Sequence, residues 1–223
     1  MVDLRKVFKR PLNYSIISSV IQVITVIISV STNVIGYFWV LVLIGVTGTI
    51  NIVANLKEKR QVKNRDHLIE TILELAVKNI GANESGKYRA AIMLPDVDNN
   101  FLTIKHQYNM VFHNDRLIKI KPATGCAGKA YNEKRPIIGD IRTHGHEYYG
   151  LDAEQIKFVW KDMKTIISNP LFDSAHMENQ NVIGVFNIDT SKELEQSGFQ
   201  DTKVGDTIRD YSALLSLILS GEF

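Results

Sequence analysis

Two long apolar runs without charged residues occupy the N-terminal quarter of the chain. They extend from 14 to 35 and from 37 to 56, and each has the ~20 residues that a helix needs to cross a hydrocarbon core of ~30 Å. Basic residues flank the pair on both outer sides: Arg5, Lys6, Lys9 and Arg10 before it, and Lys57, Lys59, Arg60, Lys63 and Arg65 after it. Because positive charge favours the cytoplasmic side, the pattern predicts a two-pass transmembrane α-hairpin in the cell inner membrane, with both termini in the cytoplasm. The lipid bilayer is then an expected partner.

Polar side chains in the first run recur at steps of three and four residues, which places them along one stripe of a helix. They are Ser15, Ser18, Gln22, Thr25, Ser29 and Thr32. Three arrangements account for such a stripe: packing between the two helices, an interface between copies of the chain, or the lining of a pore. Neither run contains Asp, Glu, Lys or Arg, so a charged relay within the membrane is not expected.

The rest of the chain, roughly 160 residues, is long enough for one domain with its own core. The predicted organisation is a basic N-terminus over 1–13, the transmembrane helices over 14–56, an amphipathic connecting helix over 57–80, and a sensor domain over 81–223. The formal net charge is only +2, and no second basic stripe appears, so nucleic-acid binding is not expected. The single cysteine, Cys126, excludes an internal disulfide and suits a reducing cytoplasm.

Short apolar segments alternate with turn residues after the connecting helix. The pattern predicts strands over 88–94, 101–108, 117–120, 136–140 and 182–189, and helices over 125–133, 153–160 and 206–219. Residues 142–151 read as a polar loop, and 165–169 as a short, partly apolar segment. This order of elements predicts an α+β domain on one mainly antiparallel sheet.

Two motifs in this domain resemble the GAF domain family. The first is Gly125-Cys126-Ala127-Gly128-Lys129-Ala130, followed by Lys134-Arg135-Pro136-Ile137-Ile138-Gly139-Asp140. The second is Val182-Ile183-Gly184-Val185-Phe186-Asn187-Ile188-Asp189, followed by Phe199 and a terminal helix. The resemblance covers 66–220 and implies a GAF-like antiparallel sheet with helices on one face and a small-molecule pocket on the other. The usual roles of the family are ligand sensing and dimerisation through the flanking helices.

Three departures from the family's patterns restrict the ligand and the chemistry. The Asn-Lys-Phe-Asp-Glu motif of cyclic-nucleotide-binding members is absent. Cys126 is followed by Ala127 rather than by His, so bilin attachment is not expected. Reductase members of the family need cooperating cysteines, and this chain has one. No Ser-His-Asp, P-loop or paired-carboxylate signature stands out either, so the sequence leads us to expect a protein that is not an enzyme, and its cofactor stays unknown.

Candidate ligand-binding residues lie at the start of helix 125–133 and in the polar loop that follows the Pro-led strand. They are Gly125, Cys126, Ala127, Gly128, Asp140, Arg142, His144, Tyr148 and Tyr149. Free backbone N–H groups at a helix start can hold an anion; alternatively, the glycines only permit the turn. Asp140 either accepts a ligand hydroxyl or caps the next turn. His144, His146 and Glu147 lack a second ligand cluster, so a metal site is not expected.

The sequence as a whole predicts a membrane-anchored regulatory sensor. It would bind a small molecule, with a nucleotide among the candidates, and signal through the membrane hairpin or a partner as a homo-oligomer, a dimer or higher. Two alternatives remain open at this point. One is a ligand-triggered membrane effector that forms pores or disrupts the bilayer, for example in anti-phage defence. The other is a ligand-free, membrane-tethered dimerisation module.

Overall fold

The computed structural model describes residues 36–96, 98, 101–110, 114–173 and 181–221. The chain divides into two units, 1–65 and 66–223, and each is considered by itself. The predicted domain boundaries over 1–80 stay predictions.

The described part of the first unit is helical. Helix α1 extends over Gly36–Gly81, 46 residues, and so begins earlier than the connecting helix predicted over 57–80. The first apolar run, with the stripe of Ser15, Ser18, Gln22, Thr25, Ser29 and Thr32, lies outside the described residues. Within the part of the chain that the structure describes, no helix combines the length and the apolar character needed to cross a membrane. The predicted transmembrane hairpin is therefore not supported.

The second unit is built on one six-stranded sheet. The strands are β1 (Tyr88–Pro95), β2 (Leu102–Tyr108), β3 (Lys119–Ile120), β4 (Ile137–Asp140), β5 (Thr165–Phe172) and β6 (Val182–Thr190). Their order across the sheet is β3-β2-β1-β6-β5-β4, and every neighbouring pair is antiparallel. The prediction of an α+β domain on an antiparallel sheet is confirmed.

Short helices connect the strands, and a longer one follows the last strand. They are α2 (Gly125–Glu133), α3 (Ile141–His144), α4 (Ala153–Ile156), α5 (Leu194–Ser197) and α6 (Thr202–Leu219), with 3-10 turns at Ala82–Lys87, Asn114–Leu117 and Glu147–Tyr149. Several predicted boundaries were wrong. The closing helix expected over 206–219 begins at Thr202, and the strand expected over 117–120 covers only Lys119–Ile120. The helix expected over 153–160 ends at Ile156, and the segment expected over 165–169 continues as a strand to Phe172, since Pro170 is accommodated opposite Val185 of β6.

One face of the sheet carries the larger apolar core. Ile69, Leu73 and Val77 of α1, with Ile208 and Leu215 of α6, pack against apolar side chains of β1, β5 and β6. These α1 residues recur at intervals of four, so they lie on the same helix face. A buried hydrogen bond from the Asn169 side-chain amide to Ser212 Oγ, 2.6 Å long, ties β5 to α6.

Alternation along the strands presents other side chains to the opposite face. On β1, Ile92 belongs to the core with α1 and α6, whereas Met93 belongs to a second cluster with α2. On β6, Ile188 belongs to the core with α1 and α6, and Val185 belongs to the second cluster. This alternation follows from the two-residue period of a strand. The second face is not filled completely, and the candidate site lies there.

Candidate functional site

A cavity of about 70 Å³ lies on this second face of the sheet. Its wall is mainly apolar and comes from β1, β2, β5 and β6, from α2, and from the segments around 110–120, 141–151 and 159–163. The apolar lining includes Ala91, Met93, Ile104, Met110, Ile118, Ile120, Ala127, Ile141, Leu151, Val159, Met163 and Ile166. Since a cavity needs about 10–15 Å³ to hold one water molecule, this cavity has room for roughly five water-sized groups.

A buried ionic network closes one end of the cavity. Arg89 Nε donates to Asp189 Oδ1 at 2.6 Å and Nη2 donates to Oδ2 at 2.9 Å, a bidentate pair. Arg89 Nη2 also lies 2.6 Å from Asp115 Oδ2, and the guanidinium carbon stands 4.1 Å above the ring of Trp160. Burial acts to lower the pKa of Arg89, but the carboxylates of Asp189 and Asp115 outweigh it and hold that pKa above its ordinary value.

Several acceptor atoms at this end are buried without a hydrogen-bond donor. They are both carboxylate oxygens of Asp115 and the Oδ1 atom of Asn187, whose side chains line the cavity with that of Asp189. One donor, Arg89 Nη1, is buried without a hydrogen bond as well. The contact between Asp115 and Arg89 is close enough for an ion pair, but it does not have hydrogen-bond geometry. Buried polar atoms in folded proteins nearly always have a hydrogen-bond partner, so these acceptors favour a bound molecule that donates hydrogen bonds at this end of the cavity.

Helix α2 forms one wall of the cavity, and its glycines have distinct roles. Gly125, Cys126 and Ala127 line the cavity, as the sequence places them in a candidate site. Gly125 has φ +61°, a left-handed conformation that favours glycine. Gly128 is buried, but it is not part of the lining; a Cβ atom there would meet the backbone carbonyl oxygen of Lys121 at 2.3 Å. The glycine at 128 lets α2 approach the preceding turn.

Replacing Gly128 by alanine is expected to lower the free energy of unfolding by about 1–3 kcal/mol, the usual range for overpacking. The clash is with backbone, which cannot move aside as a flexible side chain would. Gly205→Ala is the matched control, since Gly205 lies within α6 and its Cβ would meet no atom within 4 Å. That change should instead add roughly 0.5–1 kcal/mol through helix propensity. Urea unfolding of both variants measures the opposite signs; equal effects would contradict this account of Gly128.

The segment from 141 to 151 covers the cavity from another side. Tyr149 and His146 line it, and the Tyr149 hydroxyl accepts a hydrogen bond of 2.8 Å from the backbone N–H of Asp140. Burial raises the pKa of Tyr149. Burial also lowers the pKa of His146, against the opposing effect of Glu147, so this imidazole is neutral at pH 7. The segment predicted as a polar loop over 142–151 therefore contributes three residues to the lining, His146, Tyr149 and Leu151.

Besides Gly128, four of the predicted ligand residues lie outside the cavity lining. Asp140 caps α3: its carboxylate accepts a 3.1 Å hydrogen bond from the backbone N–H of Thr143. Hydrogen bonding from the Thr143 side chain, and to a lesser extent from its backbone, lowers the pKa of Asp140. His144 stacks on Tyr148 with ring centroids 4.6 Å apart, and both are exposed. Arg142 is exposed and lies 4.0 Å from Glu193. Their part in ligand binding stays a prediction, and the capping alternative for Asp140 is the one that the structure has.

The Cys126 thiol is buried within the lining. Burial raises its pKa to about 12, against a small opposing effect of Lys129. The thiol is therefore protonated at neutral pH, whereas nucleophilic and redox chemistry at cysteine proceeds through the thiolate.

Sequence reasoning missed the polar residues at the closed end of the cavity. Asn187 and Asp189 stand two apart on β6, so they share a face, within a strand that is otherwise almost wholly apolar. Two polar residues at that spacing in a buried strand were a signal for an inward-facing polar group. The third, Asp115, belongs to a 3-10 turn that no pattern in the sequence identified.

Comparison with known proteins identifies the fold. No protein-family model and no curated protein sequence matches the chain. Among solved structures, it is similar to type II free methionine-R-sulfoxide reductase from Thermoplasma acidophilum, with a TM-score of 0.50, 10% identity, and coverage of 70% of this chain and 94% of that chain. It is also similar to the GAF domain of Acinetobacter phosphoenolpyruvate-protein phosphotransferase (TM-score 0.49, 12% identity, 74% and 93% covered). A third similar structure is the reduced free methionine-R-sulfoxide reductase of Staphylococcus aureus (TM-score 0.48, 17% identity, 72% and 94% covered).

The second unit is an antiparallel sheet with flanking helices, a fold that it shares with the reductase from Thermoplasma acidophilum, and this GAF-like architecture is the one that the sequence resemblance implies. The expectation that the chain is not an enzyme is contradicted, because the fold is also that of an enzyme, the type II free methionine-R-sulfoxide reductase from Thermoplasma acidophilum. That expectation came from missing sequence signatures, and the fold itself is shared by enzymes and by domains of other kinds.

Proposed function

We propose that residues 66–223 form a sensor domain that binds a small molecule in the cavity between the sheet and α2. The observation that carries the proposal is the cavity of about 70 Å³, which combines an apolar wall with buried, unpartnered acceptor atoms. Small-molecule sites in proteins have this composition: a mostly apolar concave wall with a few placed polar groups.

The strands supply a route from the cavity to α1. Met93 and Val185 lie on the cavity face, and their chain neighbours Ile92 and Phe186 pack with Leu73 of α1 in the core on the opposite face. A ligand that shifts β1 or β6 would therefore act on the packing of residues 69–77 of α1. We take α1 as the output element of the sensor, because a bound ligand can transmit only through contacts that differ between two states.

The test is a thermal-unfolding screen of the purified full-length protein against small metabolites, including nucleotides. A ligand that binds the folded state raises the melting temperature with concentration, and this rise is the expected result for at least one compound. Ile166→Phe should remove the shift, because Ile166 lines the cavity and the added ring occupies it. Ile138→Phe is the matched control, since Ile138 is exposed on the adjacent strand β4. A shift that survives Ile166→Phe would place the ligand elsewhere and contradict the proposal.

We also propose that the chain is held at the cytoplasmic face of the inner membrane through its N-terminal segment. The support comes from the sequence alone: the charge-free runs over 14–35 and 37–56 and the basic clusters that flank them. Fractionation of cells that express the full chain tests this. A protein that stays in the membrane pellet after extraction with alkaline carbonate supports the anchor, and release into the supernatant contradicts it.

A further inference from the structure

The closed end of the cavity carries more negative than positive charge. Among the described residues there, Arg89 contributes one positive charge, while Asp115 and Asp189 contribute two negative charges, and all three are at most 4% exposed. His146, which lines the cavity on the side of segment 141–151, adds no compensating positive charge at neutral pH, because burial lowers its pKa. A net negative charge in a buried site costs several kcal/mol unless a partner compensates it.

On the cavity lining at the same end, acceptor atoms without a hydrogen bond exceed donors; Arg89 Nη1 is also buried without a hydrogen bond, but Arg89 is not part of the lining. Arg89 uses Nε and Nη2 on Asp189, so the bidentate pair satisfies that carboxylate. Asp115 Oδ1 and Asn187 Oδ1 are buried and accept no hydrogen bond, and Asp115 Oδ2 has the 2.6 Å ion-pair contact with Arg89 Nη2. A ligand that satisfies these atoms brings N–H or O–H donors, whereas an anionic group would add to the net negative charge.

The rest of the cavity wall is apolar, so the ligand should also have an apolar part that packs against it. Met93, Ile104, Ile118 and Ile120 line the cavity together with other apolar side chains, and there is room for roughly five water-sized groups. We propose that the cavity binds a small organic cation: a primary ammonium group that donates to Asp115 and Asn187, carried on a short aliphatic chain that packs on the apolar wall. This assignment rests on the proposed function and specifies its ligand class. Phosphate-bearing ligands, nucleotides included, are disfavoured because their charge has the same sign as that of the cavity.

Three probes of matched size and different charge test the assignment. Butylammonium, 1-butanol and butyrate are titrated calorimetrically into the full-length protein at neutral pH. Hydrogen bonds to a charged group contribute about 1.5–3 kcal/mol, so butylammonium should bind about 10- to 100-fold more tightly than butanol. Butyrate should show no binding. Equal or tighter binding of butanol or butyrate at the cavity would overturn the ammonium assignment and leave the sensor proposal standing. Failure of all three probes would overturn the assignment, and the metabolite screen with Ile166→Phe would then decide the sensor proposal separately.

A variant that removes one negative charge tests whether the ligand binds at the closed end of the cavity. Asp115→Asn keeps the shape of the side chain and removes one negative charge, so the affinity for butylammonium should fall at least about tenfold, and its advantage over butanol should disappear. Asp162→Asn, at an exposed carboxylate outside the lining, should leave both affinities unchanged. Unchanged binding in Asp115→Asn would contradict the proposal. The comparison of the three probes on the unaltered protein needs no variant, and it carries the test if Asp115→Asn does not fold.

Discussion

Replacement of Arg89 by methionine is expected to lower the free energy of unfolding of residues 66–223 by about 3–5 kcal/mol, the usual cost of breaking a buried ion pair from one side. The guanidinium compensates Asp189 and Asp115 at the same time, through contacts of 2.6 Å to each, and both carboxylates are buried. Methionine fills a similar length but leaves two uncompensated carboxylates at the end of an apolar cavity. Urea denaturation followed by the fluorescence of Trp160, which stacks on Arg89, measures the loss.

The matched control is Arg209→Met, because Arg209 pairs with Asp206 on the exposed face of α6, where the two side chains are 77% and 58% exposed. Exposed pairs contribute about 0–1 kcal/mol, so this variant should unfold close to the unaltered protein. Adding Asp189→Asn to the Arg89→Met variant should restore part of the stability, because the second substitution removes one of the two uncompensated charges. A loss below about 1 kcal/mol in Arg89→Met would contradict the view that this network stabilises the domain.

The fold was largely predictable because its strands and closing helix have clear periodicity. Residues 182–189 form an almost uninterrupted apolar run, and β6 extends over Val182–Thr190. Helix α2 begins and ends where its glycines and turn residues indicate, at Gly125 and Glu133. The failures lie where tertiary contacts override local pattern. Pro170 marks the end of a strand by its missing N–H, yet β5 continues through it to Phe172 because β6 pairs alongside.

The candidate site was only partly predictable, and the reason is the distance along the chain between its parts. Gly125 to Ala127 and Tyr149 were identified from local motifs, and they line the cavity. At the closed end of the cavity, Arg89 contacts Asp115 and Asp189, and these residues are up to 100 positions apart in the sequence. Nothing in the local sequence pairs these residues; the sheet brings β1 and β6 side by side, with Arg89 opposite Asp189 in register. Register is a property of the assembled sheet, so this pair follows from the topology rather than from a motif.

The Cys126 thiol is expected to react with iodoacetamide about a thousandfold more slowly in the folded protein than an ordinary exposed cysteine at the same pH. Burial raises its pKa from 9.0 to about 12, and only the thiolate is the nucleophile. The chain has one cysteine, so the mass of the intact protein reports its labelling without ambiguity. The same reaction in concentrated urea serves as the control and should proceed at the ordinary rate. Fast labelling of the folded protein would contradict the buried, protonated thiol.

The raised pKa of Cys126 also predicts how stability depends on alkaline pH. The folded state keeps the thiol proton up to a pKa of about 12, whereas the ordinary pKa of a free thiol is 9.0. The contribution is therefore fully present below pH 9 and is lost as the pH rises towards 12, with a slope of up to about 1.4 kcal/mol per pH unit. Lysines and tyrosines titrate in the same range, so the informative quantity is the difference in unfolding free energy between the unaltered protein and Cys126→Ala. That difference should be constant from pH 6 to pH 8 and should shift in favour of Cys126→Ala above pH 9. A difference that stays constant through pH 11 would mean that the thiol reaches solvent, and the cavity would then be open on the side of α2.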